Sequence, residues 1–233
     1  MSYQRGRMKI LSINKAITHD TLSITDIKES ELSTHSDIQG YDYIIINGGD
    51  GTIRRVLKTL QNTTNLPPFI LNPTGSFNVI AQINRVPKIH KVLETLSNKQ
   101  IPNTRTQNIY ALNKEIFLFS AGNMGDLQHI FLAETLRFGI LKHGILKYIL
   151  AVLFLLPLHL VMTPFMLLSP RRFFIFTPAS FIGKVGSFYG KVESPITIDL
   201  ENSYNLIELD GDVVTIEEDI LKISAKSSVE IVI

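Results

Sequence analysis

The chain contains no cysteine. Disulfides and cysteine-ligated zinc are therefore excluded, and a reducing, intracellular setting is compatible with the composition. Net charge is also scarce: 23 Lys and Arg stand against 21 Asp and Glu, for a formal +2. The basic residues are scattered rather than striped, which argues against a track along a nucleic-acid backbone. The histidines (His19, His35, His90, His129, His143, His159) show no metal-binding spacing and read as surface or core residues. The opening "MSYQRGRMKILSIN" is basic, but few apolar residues follow and no small-residue cleavage site is visible. No secretory signal is expected, and "MKILSI" already reads as a first strand.

What the chain does have is apolar material. Hydrophobic residues make up 45% of 233, enough for a sizeable core in one large or two small domains. Over residues 1–102, strand-like and helix-like segments alternate. "KILSI", "TLSI", "YIIIN" and "PFILN" read as strands, and the fully apolar "YIIIN" suits a parallel strand covered on both faces. Ile53, Val56, Leu57 and Leu60 fall at helical spacing over 52–60. A short helix is expected around Phe77, Ile80, Ala81 and Ile83. An amphipathic one opens at Val86-Pro87 and runs to Leu96, with Ile89, Val92 and Leu93 on its apolar face. This predicts an α/β domain with a mostly parallel sheet.

Residues 103–233 read differently. "TRTQNIYALN" and "EIFLFSAG" look like strands, and 124–136 looks helical. Beyond Arg171 come "RRFFIFT", "GSFYGKV", "PITIDL", "YNLIEL", "VVTI", "ILKISA" and "VEIVI", separated by turns such as 201–203 and Asp210-Gly211. The expectation is a second, all-β, sandwich-like domain. An apolar helical insertion interrupts it near 143–168. Residues 148–170 carry no formal charge and are long enough to be a membrane candidate. Pro157 and Pro164 break the stretch, His159 sits in its middle, and Lys142, Lys147, Arg171 and Arg172 flank it on both sides. Symmetric flanks suit a segment lying in a membrane interface. A core helix and a true span are the alternatives.

Two loops carry candidate chemistry. In "YDYIIINGGDGTIRRVLKTL", a buried strand runs into Gly48, Gly49, Asp50, Gly51 and Thr52, and then into a helix. Glycines permit positive φ and leave no Cβ in the way of a phosphate. The helix start offers free N–H groups and a partial positive charge. Thr52 can cap that helix or offer its hydroxyl. A carboxylate at Asp50 beside a phosphate calls for a hard cation such as Mg²⁺ between them. The plain alternative is a tight turn with a capped helix. The pattern is neither a Walker A loop nor the dinucleotide fingerprint. The second loop, "NPTGSFN" over 72–78, again follows a strand and precedes a helix. Pro73 stiffens it, Gly75 opens its backbone, and Thr74, Ser76 and Asn78 offer hydrogen bonds. Both loops fall at the carboxyl ends of strands, where open α/β sheets place ligands.

"GGDGT" followed by "PTGSFN" resembles the diacylglycerol kinase catalytic domain, shared with bacterial lipid kinases and sphingosine kinases. Pro73, Gly75, Asn78 and Ala81 match the second motif of that family, and Ser76 replaces a threonine. "SAGNMG" (120–125), "LRFGILKHGILKYIL" and "ELDGDVV" (208–214) resemble later parts of it. Departures are Val79 for an aspartate, Gln82 for an arginine, and "SINKAITHD" for an asparagine-proline-glycine motif. The resemblance implies ATP, Mg²⁺ and transfer of the γ-phosphoryl to a lipid hydroxyl, such as that of diacylglycerol. Asn47, Gly48, Gly49, Asp50, Gly51, Thr52, Thr74, Gly75, Ser76 and Asn78 would hold the nucleotide. Asp50 would orient the metal or assist the acceptor. Asp212, one methylene shorter than the family's glutamate, would be the general base. The implied partner is a lipid at a membrane surface, with no nucleic acid. The implied location is cytoplasmic, peripheral to the inner face of the membrane. Oligomeric state is left open. The alternatives are a catalytically weakened, membrane-attached relative that binds nucleotide or lipid, and an NAD kinase. NAD kinases share "GGDGT" but carry an Asn-Glu pair where this chain has "PTGSFN".

Overall fold

Strand β1 (Lys9–Ile13) buries every side chain after its lysine, and β2 (Ser23–Ile27) pairs with it in parallel. Strand β3 (Tyr43–Gly48) is buried along its whole length, and Ile44, Ile45 and Ile46 have no exposure at all. Consecutive residues of a strand face opposite ways, so both faces of β3 are covered, as its unbroken apolar run predicts. Helix α1 (Asp50–Thr59) packs on β3 and turns Ile53, Val56 and Leu57 inward. Strand β4 (Phe69–Pro73) joins β3 in parallel, from Ile44 opposite Phe69 to Gly48 opposite Pro73. Helices α2 (Val79–Asn84) and α3 (Ile89–Ser97) follow, and α3 packs on β4 through Val92, Leu93 and Leu96.

These are the helices the spacing predicts, with shifted starts. Helix α1 begins at Asp50, two residues before the expected 52, because the glycine turn already adopts helical geometry. Helix α2 starts at Val79 because Asn78 is left-handed, with φ 50 and ψ 52. Helix α3 starts after Lys88, whose backbone is extended.

The computed structural model describes residues 7–35, 37–75, 78–123, 149–150, 153, 164–165 and 167–233. The expected helix over 124–136 and most of the apolar stretch over 143–168 lie outside these. Among the described residues no helix is long and apolar enough to cross a membrane.

The chain divides into two units: Met1–Asn108 with Ser227–Ile233, and the rest, Ile109–Lys226. In the first, the sheet order is β2-β1-β3-β4. Beside β4 runs the end of the last strand, with Ile231 opposite Phe69 in parallel. Ile10, Tyr43, Ile45, Ile70, Leu96 and Val232 share its core. This is the mostly parallel α/β arrangement expected.

The second unit is β-rich. It contains the end of β5 (Thr104–Leu112), then β6 (Glu115–Phe117), β7 (Ser120–Gly122), β8 (Phe174–Phe176), β9 (Lys184–Val185), β10 (Phe188–Tyr189), β11 (Ile196–Asp199), β12 (Asn205–Leu209), β13 (Asp212–Ile216) and the start of β14 (Ile220–Val232). One sheet has the order β13-β12-β7-β8-β10-β9. Strands β5–β6 and β11–β14 form the opposing layer, both antiparallel pairs. Phe117, Ile198 and Leu221 from that layer meet Phe173, Ile175, Ile207 and Leu209 in one buried cluster. That is sandwich packing. Two strand expectations are corrected: "EIFLFSAG" is not one strand but β6 and β7, which lie in different sheets. "ILKISA" and "VEIVI" are not separate strands but the two ends of the 13-residue β14. The polar run between them, exposed from Lys226 to Ser228, continues the strand rather than turning.

Candidate functional site

The glycines of the two loops lie against each other. Beyond the last β3–β4 pair, Thr74 donates its N–H to the Gly48 carbonyl at 3.2 Å. A Cβ on Gly75 would stand 2.9 Å from the Gly49 Cα, and one on Gly49 would stand 3.3 Å from the Gly75 Cα. A Cβ on Gly48 would meet the Thr52 side chain at 2.5 Å. So Gly49 and Gly75 are glycine because backbone meets backbone, and Gly48 because the Thr52 side chain lies against it. The expectation of positive φ is corrected here. Among the described residues the glycines with positive φ are Gly183, Gly186 and Gly211, none of them in either loop.

Helix α1 presents its first amides unencumbered by a cap. Its N-cap is Gly49, with no side-chain cap, and the first helical bond is Ile53 N–H to the Gly49 carbonyl at 3.1 Å. The amides of Asp50, Gly51 and Thr52 precede that ladder and carry the positive end of the helix dipole. Thr52 is the third helical residue, not the cap. Its hydroxyl accepts from Arg55 Nη2 at 3.3 Å. Gly49, Gly51 and Thr52 are half-buried, so the amides are reachable by a ligand.

Asp50 is nearly enclosed, with 9% exposure. Its Oδ2 accepts the Val79 N–H at 2.7 Å and its Oδ1 accepts the Ile80 N–H at 3.0 Å. The carboxylate at the start of α1 thus caps α2. Burial pushes the Asp50 carboxyl above its ordinary range, and the Ile80 and Val79 amides pull it part of the way back. Asn78 is spent locally: Oδ1 accepts from the Gly75 N–H at 3.0 Å and Nδ2 donates to the Gly75 carbonyl at 2.5 Å. Thr74 is exposed, and Ser76 lies outside the described residues.

Beneath the loops runs a polar ladder that the sequence reading missed except for Asn47. Asn47 is buried and donates through Nδ2 to the Ile13 carbonyl at 2.8 Å and to Ser12 Oγ at 3.1 Å. Its Oδ1 accepts from Asn72 Nδ2 at 2.7 Å. The carboxyl ends of β1, β3 and β4 are therefore tied in one row. Arg54, 4% exposed, was also not foreseen. Its only sequence signal is a cation next to the core residue Ile53.

Asp212 belongs to the second unit, where it is half-exposed as the first residue of β13. Asp210 (φ 52) and Gly211 (φ 88) form the two-residue turn between Leu209 and Asp212. Positive φ at both central positions is the type I′ hairpin that an Asp-Gly pair predicts. The buried acids around it were not singled out. Asp210, 2% exposed, accepts the N–H groups of Leu118 at 2.7 Å, Phe119 at 2.8 Å and Ser120 at 3.0 Å. Glu208 accepts the Ser120 hydroxyl at 3.0 Å and the Gly211 N–H. An acid alternating with apolar residues in "LIELD" was the available signal.

Among the described residues, no group of three or more His, Asp or Glu is placed to hold a metal ion. What the first unit offers is a helix start with uncapped amides beside a second glycine loop, with the Asp50 carboxylate close in sequence.

Residues 9–109 match the diacylglycerol kinase catalytic domain. No curated protein matches the chain. Among solved structures, the chain is similar to a diacylglycerol kinase from Bacillus anthracis str. Sterne. The identity is 20%, the TM-score 0.40, and the match covers 57% of this chain and 55% of that one. It is also similar to an NAD kinase from Archaeoglobus fulgidus in complex with ATP, at 11% identity and TM-score 0.45, over 97% of this chain and 94% of that one. The chain spans about half the length of the Bacillus anthracis structures it matches. The match to the diacylglycerol kinase catalytic domain thus lies within residues 9–109, which hold both glycine loops.

Proposed function

We propose that this chain is an ATP-dependent lipid kinase that transfers the γ-phosphoryl group to a lipid hydroxyl such as that of diacylglycerol. The observation that carries this reading is the packing of Gly49 against Gly75, which sets a second loop beside the open amides of α1. Phosphoryl transfer is chiefly positioning and charge stabilisation, and a helix start with uncapped amides supplies both for a phosphate chain. In this reading the N–H groups of Gly49, Asp50, Gly51 and Thr52 hold phosphate oxygens. Thr74, Gly75 and Asn78 line the second side, and Asn47 keeps the strand ends in register.

Mg²⁺ is ordinarily held by one or two carboxylates together with phosphate oxygens and water. The donor set fits that pattern through Asp50, whose oxygens each accept one amide and keep lone pairs for a cation. Such an ion would supply positive charge that offsets that of the phosphates. Asp212 is the proposed base for the lipid hydroxyl, since its side chain is half-exposed whereas Asp210 is enclosed. The lipid partner, Mg²⁺ and a place at the membrane surface all belong to this proposal.

Amide hydrogen exchange with and without ATP tests it. Slower exchange at 49–52 and 74–75 on adding ATP is expected. ATP that binds while leaving those amides unchanged would contradict the site.

A further inference from the structure

Two arginines stand in helix α1 just beyond the first glycine loop, and they differ in exposure. Arg54 is buried, whereas the Arg55 side chain is 47% exposed. Side chains of a helix lean toward its N-terminus, so Arg55 reaches back over the first turn of α1. Its Nη2 donates to the Thr52 hydroxyl oxygen at 3.3 Å. Thr52 also carries one of the amides that precede the helical ladder. The guanidinium therefore touches a residue whose own amide is part of the open helix start.

The acid that meets Arg55 is itself fixed. Glu29 opens a short 3-10 helix (Glu29–Thr34) that packs on α1. Arg55 Nε donates to Glu29 Oε1 at 2.7 Å and Nη2 to Oε2 at 3.4 Å, so the planar fork engages both carboxylate oxygens. Asn14 grips Glu29 in turn. Its Oδ1 accepts the Glu29 N–H at 2.8 Å, and its Nδ2 donates to Glu29 Oε2 at 3.3 Å. Asn14 is the residue after β1, with φ 69, and its N–H donates at 2.9 Å to the carbonyl of Ile27, the last residue of β2. The guanidinium is thus tied to the carboxyl ends of β1 and β2. These strands run parallel to β3 and β4, so this is the sheet edge that carries both glycine loops.

The donors point to an anion. A hydroxyl has one proton to donate and two lone pairs. Arg55 fills one lone pair of Thr52 and leaves the O–H to donate. The first turn of α1 then offers amides, a hydroxyl proton and a guanidinium. An exposed ion pair contributes little to stability, so changing Arg55 or Glu29 is expected to leave the fold intact.

We propose that Arg55 is a further phosphate-binding residue of this site and that Glu29 attenuates it. The guanidinium supplies positive charge to a phosphate seated on the open amides. The Glu29 carboxylate, pinned by Asn14, fixes the guanidinium in place and offsets part of its charge. The proposal deepens the kinase reading and rests on it for the nucleotide that carries the phosphate.

Isothermal titration of the full chain with ATP and Mg²⁺, and separately with inorganic triphosphate, tests this. Thermal transitions verify that each variant folds. Arg55→Gln is expected to bind both probes about tenfold more weakly than wild type. Glu29→Gln keeps an acceptor for the fork but loses the charge, so it is expected to bind both about threefold more tightly. A pair that serves only to brace the loop would give both variants the same sign. A folded Arg55→Gln variant that binds like wild type overturns the proposal, as does Glu29→Gln that binds no more tightly than wild type. Wild type that binds inorganic triphosphate but not ATP defeats the kinase reading, and opposed effects of the two variants on triphosphate then still support the phosphate role of Arg55. Wild type that binds neither probe overturns both.

Discussion

The Oδ1 of Asp50 accepts the backbone N–H of Ile80 at 3.0 Å, across 30 residues of chain. With the companion bond to Val79 at 2.7 Å, one carboxylate replaces the missing side-chain cap of α2. Asn78, at the cap position, is left-handed and already bonded to Gly75. The acid of the first loop therefore fixes the helix that follows the second loop, and the two loops are held as a pair.

Asp50→Asn tests that tie. An amide side chain accepts one of the two N–H groups and turns its own NH₂ toward the other. The expected loss is about 1–3 kcal/mol, read from urea denaturation near neutral pH.

The pH dependence of the same comparison has a definite sign. Burial raises the Asp50 carboxyl in the folded chain above its ordinary range, so the folded state keeps the proton longer than the unfolded state. That contribution to stability is full below the ordinary carboxylate pKa and is lost as pH rises through the raised folded value. The stability advantage of wild type over Asp50→Asn should shrink across that window as pH increases. An advantage that grows there contradicts the assigned cause.

Gly75→Ala and Gly49→Ala should rank in that order of damage. The first places a methyl 2.9 Å from the Gly49 Cα, the second 3.3 Å from the Gly75 Cα. The obstacle is backbone in both cases, so the loops must part. A cost of about 1–3 kcal/mol is expected for Gly75→Ala and less for Gly49→Ala, with ATP affinity falling in the same order.

Asp210→Ala should harm the second unit more than Asp210→Asn. Alanine removes the acceptor for three amides and also strains a backbone held at φ 52. Asparagine tolerates that φ and keeps one acceptor oxygen. Losses of about 1–3 kcal/mol for Asp210→Asn, and more for Asp210→Ala, are expected in chemical denaturation.

Much of the first unit was legible because its signals are local. The run Ile44–Ile45–Ile46 states a strand buried on both faces, and Ile53, Val56 and Leu57 state the face of α1 that covers it. The Asp210-Gly211 turn was legible for the same reason. What could not be read depends on contacts between distant residues. Nothing near Asp50 announces that its partners are Val79 and Ile80, nor near Asn47 that it bonds Ser12 and Asn72. The loop glycines were legible as glycines, but their cause was mistaken in part: the close neighbour of Gly49 and Gly75 is the other loop's backbone. Strand β14 was split because its polar middle resembles a turn, whereas pairing to neighbours sustains it.

The central claim is phosphoryl transfer to a lipid, and label transfer from γ-labelled ATP measures it most directly. The protein is incubated with Mg²⁺ and mixed micelles containing diacylglycerol, and in parallel with NAD, alongside Asp50→Ala and Asp212→Ala. Label in the lipid extract of the wild type, lost in both variants, is the predicted result. Bound ATP without labelled lipid, or label appearing in NADP, would contradict it.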